Sequence, residues 1–269
     1  MALLIKKGFV LYNYLFQELA DPRAESLPLL KTPFPTILIL ILYQKFSYDW
    51  GPKFMANRKP YNIKNVILWF NIIQVIINST LTIIGLKLYF SHSWLCQPIN
   101  WSWTPEGFYE LHLTYIYYLL KISDLADTVF FILKKNYRQV TFLHTYHHFG
   151  MVLITWVASR FVPGGHGVVI GLVNCFVHSV MYFYYLLSVY DPSYKKSIRI
   201  KKLITQLQLT QFMLFLIIFG RLLFVECSYP KIVSFFFVPQ NLFMFVLFSD
   251  FYYKTYIRKK APKVPVKEE

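Results

Sequence analysis

The chain has 269 residues, 56% of them hydrophobic and 20% aromatic, with 26 Phe, 21 Tyr and a formal net charge of +15. That is more apolar surface than a soluble domain of this size can hide, so lipid must serve as solvent; with only 10 Gly and long unbroken apolar runs, the alternating strands and frequent turns of a β-barrel are excluded. The basic residues lie between the apolar runs and in the tail rather than along one amphipathic face, which points to membrane orientation and away from nucleic acid.

In chain order, MALLIKKGFVLYNYLFQELADPR lacks the basic start, apolar core and small-residue cleavage site of a cleavable signal. Residues 1–30 are expected to form a short lumenal or interfacial segment without processing. Apolar stretches of the roughly 17 to 25 residues that cross a bilayer follow near 34–50, 65–90, 108–133, 140–159, 167–189, 203–225 and 232–256. No polar linker or internal repeat interrupts the series. The expectation is one all-α integral membrane domain over 1–269, with seven transmembrane helices and a basic tail at 257–269.

Cytoplasmic loops carry the excess of Lys and Arg, and the excess alternates here. One side receives Lys53, Arg58, Lys59 and Lys64, then Lys134, Lys135 and Arg138, then Lys195, Lys196, Arg199, Lys201 and Lys202, and finally Lys254, Arg258, Lys259, Lys260 and Lys263. SHSWLCQPINWSWTPEG, on the other side, has no basic residue, and only the N-terminal segment, with Lys6, Lys7, Arg23 and Lys31, departs from the pattern. An odd number of spans then leaves the N-terminus lumenal and the C-terminus cytosolic. Cys96 and Cys227 both fall on the lumenal side, where oxidation is permitted, and a disulfide is expected there; two free thiols are the alternative. No C-x-x-C pair suggests zinc.

A charged side chain inside a span costs about 2.5 to 3.5 kcal/mol on insertion scales, so it normally faces the bundle interior and marks function. KISDLADT in the third stretch sets Lys121, Asp124, Asp127 and Thr128 at helical spacing on one face. An ion pair that merely neutralises Lys121 and Asp124 is the bland alternative; Asp127 has no cation of its own. FLHTYHH opens the fourth stretch with His144, His147 and His148 at i, i+3 and i+4 on one stripe, which packing alone does not explain. NCFVHSVMYFYY in the fifth carries Asn174 and His178 one turn apart, then Met181, Tyr182 and Tyr185; ITQLQLTQF in the sixth carries Gln206, Gln208 and Gln211. For these, bonding between helices in lipid is the competing reading. His92, His112 and His166 fall at or near the lumenal side and receive no chemistry. At about 1.5 Å per helical residue, Asp127 and His147 both lie roughly 10 Å below the cytosolic surface, Gln208 and Gln211 near 8 and 12 Å, and His178 near 17 Å. Beyond this polar layer the stretches are apolar, the profile of a cytosol-facing site with a greasy pocket behind it.

At these residues the chain resembles the very-long-chain fatty-acid elongases, the 3-oxoacyl-CoA synthases of the endoplasmic reticulum. The resemblance runs through KISDLADTVFFILKK, FLHTYHH, NCFVHSVMYFYY and ITQLQLTQF, in order, over nearly the whole chain from the first span. The family's lysine-acidic-acidic-threonine motif falls on Lys121, Asp124, Asp127 and Thr128, its histidine box on His144, His147 and His148, and its asparagine-histidine-methionine-tyrosine motif on Asn174, His178, Met181 and Tyr182. The resemblance also implies seven spans and a lumenal disulfide, in support of joining Cys96 to Cys227, and a multi-pass protein of the endoplasmic reticulum membrane. The tail departs from the family's dilysine-type retrieval signal: it ends KVPVKEE, with Lys267 alone in place. Thr145 in the histidine box resembles elongases of longer chains more than those with Trp there.

The reaction so implied condenses a long-chain acyl-CoA with malonyl-CoA, giving 3-oxoacyl-CoA, CO2 and CoA, with no cofactor or metal and with the helices enclosing an acyl tunnel. A neutral imidazole attacks thioesters readily and can carry the acyl group between two easier half-reactions. Following the resemblance, His147 is the expected acyl acceptor with His178 opposite; His144, His148 and Asp127 would orient the ring and fix its tautomer. Asn174 and Gln211 are candidate donors to the enolate oxygen, with Lys121, Asp124, Met181, Tyr182 and Gln208 around the substrate. Lys134, Lys135, Arg138, Lys201 and Lys202 are candidates for the CoA phosphates, although topology alone also explains them. A homodimer and contact with the other enzymes of the elongation cycle are the expected associations. A membrane di-iron oxidase would also use HxxHH boxes, but roughly eight imidazole ligands are needed for two irons and the chain has 7 His in total. A seven-span receptor or lipid-binding protein would explain the spans but not three histidines level with Asp127.

Overall fold

Backbone shielded from water must satisfy every N–H and C=O within the protein, and apolar runs of this length do so as helix. The structure is a computed structural model and describes residues 2–91 and 95–258, so His92, Lys259, Lys260, Lys263 and Lys267 lie outside the described residues. In chain order the helices are α1 (Ala2–Asn13), α2 (Phe34–Lys45), α3 (Gly51–Met55), α4 (Lys64–Ser91), α5 (Pro105–Asp124), α6 (Ala126–Leu133), α7 (Phe142–Phe161), α8 (Val168–Tyr190), α9 (Pro192–Lys196), α10 (Ile198–Leu222) and α11 (Lys231–Tyr252). No strand occurs among the described residues. Among the described residues, four helical stretches are long and apolar enough to cross a membrane: Lys64–Ser91, Gly165–Tyr190, Ile198–Leu222 and Lys231–Ile257.

Every stretch expected to be helical is helical, with its own local adjustments. α2 runs through a wider, π-type turn at Phe46–Trp50 into α3. α5 and α6 form one rod broken only at Leu125, where the N–H groups of Leu125 and Thr128 each bond the carbonyl three residues back at 3.2 Å, the tighter 3-10 pattern. α10 starts at Ile198, earlier than the hydropathy suggests, because the Ser197 hydroxyl accepts the Ile200 N–H at 3.4 Å and caps it. α11 tolerates Pro239 in its interior, where the ring removes one N–H from the ladder.

Three pairings carry the bundle: α4 lies along α8, α10 along α11, and α5 against α7. Between them remains a cavity of about 680 Å³ whose wall draws on α4, α5, α7, α8, α10 and α11. One end of the bundle is tied down heavily. Cys96 and Cys227 are disulfide-bonded there, joining the segments that follow α4 and α10. His166 donates its N–H to Gln97 O at 2.8 Å, and the Gly165 N–H is accepted by Glu110 Oε2 at 2.8 Å. Gly164 holds φ 78°, which a side chain would strain. The N-terminal segment docks on the same end: Arg160 donates to Asp21 O and Phe16 O at 2.7 Å each, while Arg23 pairs with Asp21 at 2.7 Å and donates to Asn100 O and Ser102 O.

Candidate active site

The polar residues singled out by spacing come together towards the other end of the bundle. Lys121 and Asp124, one turn apart on α5, form an ion pair at 2.9 Å with both side chains buried. His178 of α8 approaches both, its Nδ1 standing 3.4 Å from Lys121 Nζ and 3.5 Å from Asp124 Oδ2. Tyr182, one turn further along α8, directs its hydroxyl at Asp127 Oδ2 (2.8 Å) and Asp124 Oδ1 (3.1 Å). An isolated buried ion pair breaks even at best against desolvation. This one is shared with an imidazole and a phenol, partners that a merely neutralising pair does not need.

The sequence gives no prominence to a stripe on α4 that supports this cluster. Asn71, Gln74 and Asn78 are all buried and recur at helical spacing. Gln74 Nε2 donates to Asp124 Oδ1 at 3.0 Å and to Ser123 Oγ at 2.9 Å, and Asn78 Nδ2 in turn donates to Gln74 Oε1 at 3.0 Å. The signal was present in NIIQVIIN but is diluted by the β-branched residues between the amides.

Thr141 caps α7 by accepting the His144 N–H at 3.2 Å, so the histidine box starts within the first turn. His144 and His148 lie with ring centroids 4.3 Å apart, and His147 and His148 at 5.8 Å. His144 Nε2 is 2.9 Å from Thr128 Oγ1, and Thr128 Oγ1 is 2.9 Å from the hydroxyl of Tyr43 on α2. Tyr48, in the wider turn after α2, reaches Thr145 Oγ1 at 2.5 Å. The histidine helix is thus held directly by Tyr48 and, through Thr128, by Tyr43, two tyrosines that no local sequence signal marks. Asp127, expected to orient the histidines, instead accepts from Tyr182; its neighbour Thr128, about 100° further round the helix, is the residue that meets the box. His147 makes ring contacts with His148 and Phe248 (6.2 Å) and no hydrogen bond among the described residues.

His147 lines the cavity together with Asn174 and Gln211. Tyr117 donates to Asn174 Oδ1 at 2.8 Å, and Asn174 Nδ2 faces Gln211 Oε1 at 3.5 Å. Cys175 is buried, unbridged and also on the cavity wall. From this polar head the wall continues along α7 as Leu153, Ile154, Val157 and Phe161, opposite Phe215, Val233 and Phe237. The arrangement sets an imidazole on the wall of a largely apolar cavity, with amides beside it and a lysine-carboxylate-histidine cluster adjoining.

The remaining candidates sit apart from this centre. Gln208 contacts Met181 Sδ at 3.9 Å and does not line the cavity. Lys135 donates to Ala56 O at 3.0 Å and Lys202 lies 5.8 Å from the Tyr252 ring; no contact among the described residues joins them, Lys134, Arg138 or Lys201 to the histidines. His112 Nδ1 is 2.6 Å from Phe108 O, and His166 is buried at the disulfide end. No three His, Cys, Asp or Glu side chains among the described residues are grouped to hold a metal ion.

Residues 28–264 match the family model described as ELO: GNS1/SUR4 family. The chain is similar to a very long chain fatty acid elongase of Aedes aegypti, 34% identical over 271 residues spanning 100% of this chain and 75% of the relative. It is similar to very long chain fatty acid elongase 7 of Drosophila melanogaster, 36% identical over 89% of this chain and 74% of the relative. With very long chain fatty acid elongase 1 of Mus musculus it shares 35% identity over 94% and 92% of the two chains.

Proposed function

The chain belongs to the ELO (GNS1/SUR4) family, and from that premise we propose how its residues carry out the condensation step of fatty-acid elongation, in which acyl-CoA and malonyl-CoA give 3-oxoacyl-CoA, CO2 and CoA. The observation that carries the reading is the position of His147, an imidazole without hydrogen-bond partner among the described residues at the polar head of an apolar cavity of about 680 Å³.

In the first half-reaction an unprotonated ring nitrogen of His147 attacks the thioester carbonyl. The C–S bond breaks, the thiolate departs with the proton lost by the ring, and the acyl group remains as an acyl-imidazole. In the second, malonyl-CoA loses CO2 and its C–C bonding pair becomes the enolate of acetyl-CoA. That carbon attacks the acyl carbonyl, the C–N pair returns to His147, and the ring takes up one proton from water, which restores the neutral imidazole. His178 Nδ1 faces the Lys121–Asp124 pair, at 3.4 Å from Nζ and 3.5 Å from Oδ2, and its other ring nitrogen, Nε2, is the atom assigned to the enolate oxygen. Asn174 and Gln211 add amide donors beside His147. The acyl chain occupies the cavity as a tunnel. The basic residues Lys134, Lys135, Arg138, Lys201 and Lys202 hold the CoA phosphates at the cytosolic mouth, and the two CoA esters suffice without cofactor or metal.

The same reading has seven spans in one membrane of the endoplasmic reticulum, with the N-terminus lumenal and the C-terminus cytosolic. Its support is the alternation of basic segments and the gathering of the disulfide, Gly164–Gly167 and the N-terminal segment at one end of the bundle. A homodimer and contact with the other enzymes of the cycle complete it. The test is turnover of a long-chain acyl-CoA with labelled malonyl-CoA by the purified protein in liposomes: label in a 3-oxoacyl-CoA two carbons longer, with stoichiometric CO2, is expected, and its absence under conditions where a known elongase is active would refute the reading.

A further inference from the structure

The cavity that starts at His147 ends, at the disulfide end of the bundle, on Tyr229 and the turn around Gly164 and Gly167. Its wall is almost wholly apolar there, and the polar groups that do line it are committed. Thr114 and Thr155 turn their hydroxyls back on their own helices, donating to Glu110 O at 2.9 Å and Met151 O at 2.7 Å. Tyr146 donates to Gln240 and Asn241 to Phe212 O, at 2.8 and 2.7 Å. Tyr229 differs. It is only 3% exposed, it lines the cavity, and its hydroxyl makes no hydrogen bond among the described residues.

Two further features bear on that hydroxyl. It stands over Gly167, where an added Cβ would lie 3.0 Å from it, so the bare glycine leaves it open to the cavity. The ring itself is held firmly, packed with Ile99, Phe219 and Leu222 and 6.0 Å from the ring of His166. Burial pushes the phenol up from its ordinary value, so it stays neutral and able to donate at physiological pH. A buried hydroxyl left unpaired costs about 1–3 kcal/mol, and Phe would fill the same space without that cost.

We propose that Tyr229 recognises a hydroxyl at the far end of the acyl chain, making ω-hydroxyacyl-CoA a substrate class of this enzyme. The inference rests on the elongation reading above. His147 and Phe161 both line the cavity and are fourteen residues apart on α7, a span of roughly 21 Å at 1.5 Å per residue. A staggered hydrocarbon with bonds near 1.52 Å advances about 1.25 Å per bond, so a chain of roughly 16 to 18 carbons spans the wall from His147 to the level of Phe161, in the same cavity that Tyr229 lines. A wall lacking such a donor would desolvate the substrate's hydroxyl without compensation.

The experiment measures kcat/KM for an acyl-CoA of about 16 carbons and for its ω-hydroxy counterpart, with wild type, Tyr229→Phe and Gly167→Ala in the same membranes. Wild type is expected to use the ω-hydroxy substrate at least as well as the plain one, and the ratio of the two is expected to fall about tenfold or more in Tyr229→Phe. Gly167→Ala, whose methyl group covers the hydroxyl, should lower the ratio in the same direction and supplies the readout if Tyr229→Phe does not accumulate. A ratio within twofold of wild type in the variant, or a wild type that rejects the ω-hydroxyl, overturns the proposal. Wild type that turns over neither substrate removes the elongation reading and the proposal with it.

Discussion

Replacing Gln74 by Leu tests whether the amide stripe on α4 serves the reaction or only the packing. Gln74 Nε2 donates to Asp124 Oδ1 at 3.0 Å, and a hydrogen bond to a charged group contributes about 1.5–3 kcal/mol, a ceiling of roughly 10- to 150-fold in rate. The carboxylate is not stranded by the change, because Tyr182 still donates to the same oxygen at 3.1 Å and Lys121 holds the other at 2.9 Å. We therefore expect the low end, about a tenfold fall in kcat with little change in the KM for acyl-CoA, since no part of Gln74 lines the cavity. Gln74→Glu should be worse: it sets a second carboxylate against Asp124 Oδ1, and two carboxylates that close do not both ionise. Steady-state turnover and thermal melting in one detergent read the two effects separately. A Gln74→Leu protein with kcat within twofold of wild type and an unchanged melting temperature would show that Asp124 needs no support from α4.

Other perturbations address the frame. Gly164→Ala should lower the melting temperature by several degrees, because φ is 78° and the new Cβ would collide with Glu110 Oε2, a combination of backbone strain worth about 1–3 kcal/mol with a displaced carboxylate. Non-reducing peptide mass spectrometry should recover the Cys96 and Cys227 peptides linked, and replacing both by Ser should lower thermal stability; alkylation of both without reductant would contradict the bond. Asp191 caps α9, and the Ser193 hydroxyl and N–H hold its carboxyl below the usual carboxylate range. A depressed folded value means that the contribution is complete above the unfolded value of about 3.9 and is lost as pH falls through the folded one. Hydrogen exchange over 192–197, corrected for intrinsic rate, should accordingly be flat from neutrality to about pH 4 and rise only in stronger acid.

Much of the candidate site's geometry was legible because its residues obey helical periodicity and are costly in lipid. His144, His147 and His148 declare themselves at i, i+3 and i+4, and the Lys121–Asp124 pair follows from one turn of α5. What could not be read are the partners brought in by tertiary packing. Tyr43 and Tyr48 look like ordinary interfacial aromatics; only the wider turn at Phe46–Trp50 and the docking of α2 bring both to the Thr128–Thr145 face. Asp127 meets Tyr182 and its neighbour Thr128 meets His144, a choice set by how α6 docks between α7 and α8 and not by any local pattern. Asn71, Gln74 and Asn78 carried a periodic signal that an apolar background concealed. At the far end, the clamp of Asp21, Arg23 and Arg160 joins segments more than a hundred residues apart, beyond any local pattern. The start of α10 was recoverable from the capping preference of Ser197 alone, whereas hydropathy placed it too late.

If His147 carries the acyl group, the acylated ring can be trapped. The purified protein, given acyl-CoA without malonyl-CoA, should release up to one CoA per chain and gain one acyl mass, located by peptide mass spectrometry to His147, and His147→Ala should do neither. The same adduct found on Cys175, or CoA release that persists in His147→Ala, would move the nucleophile away from His147.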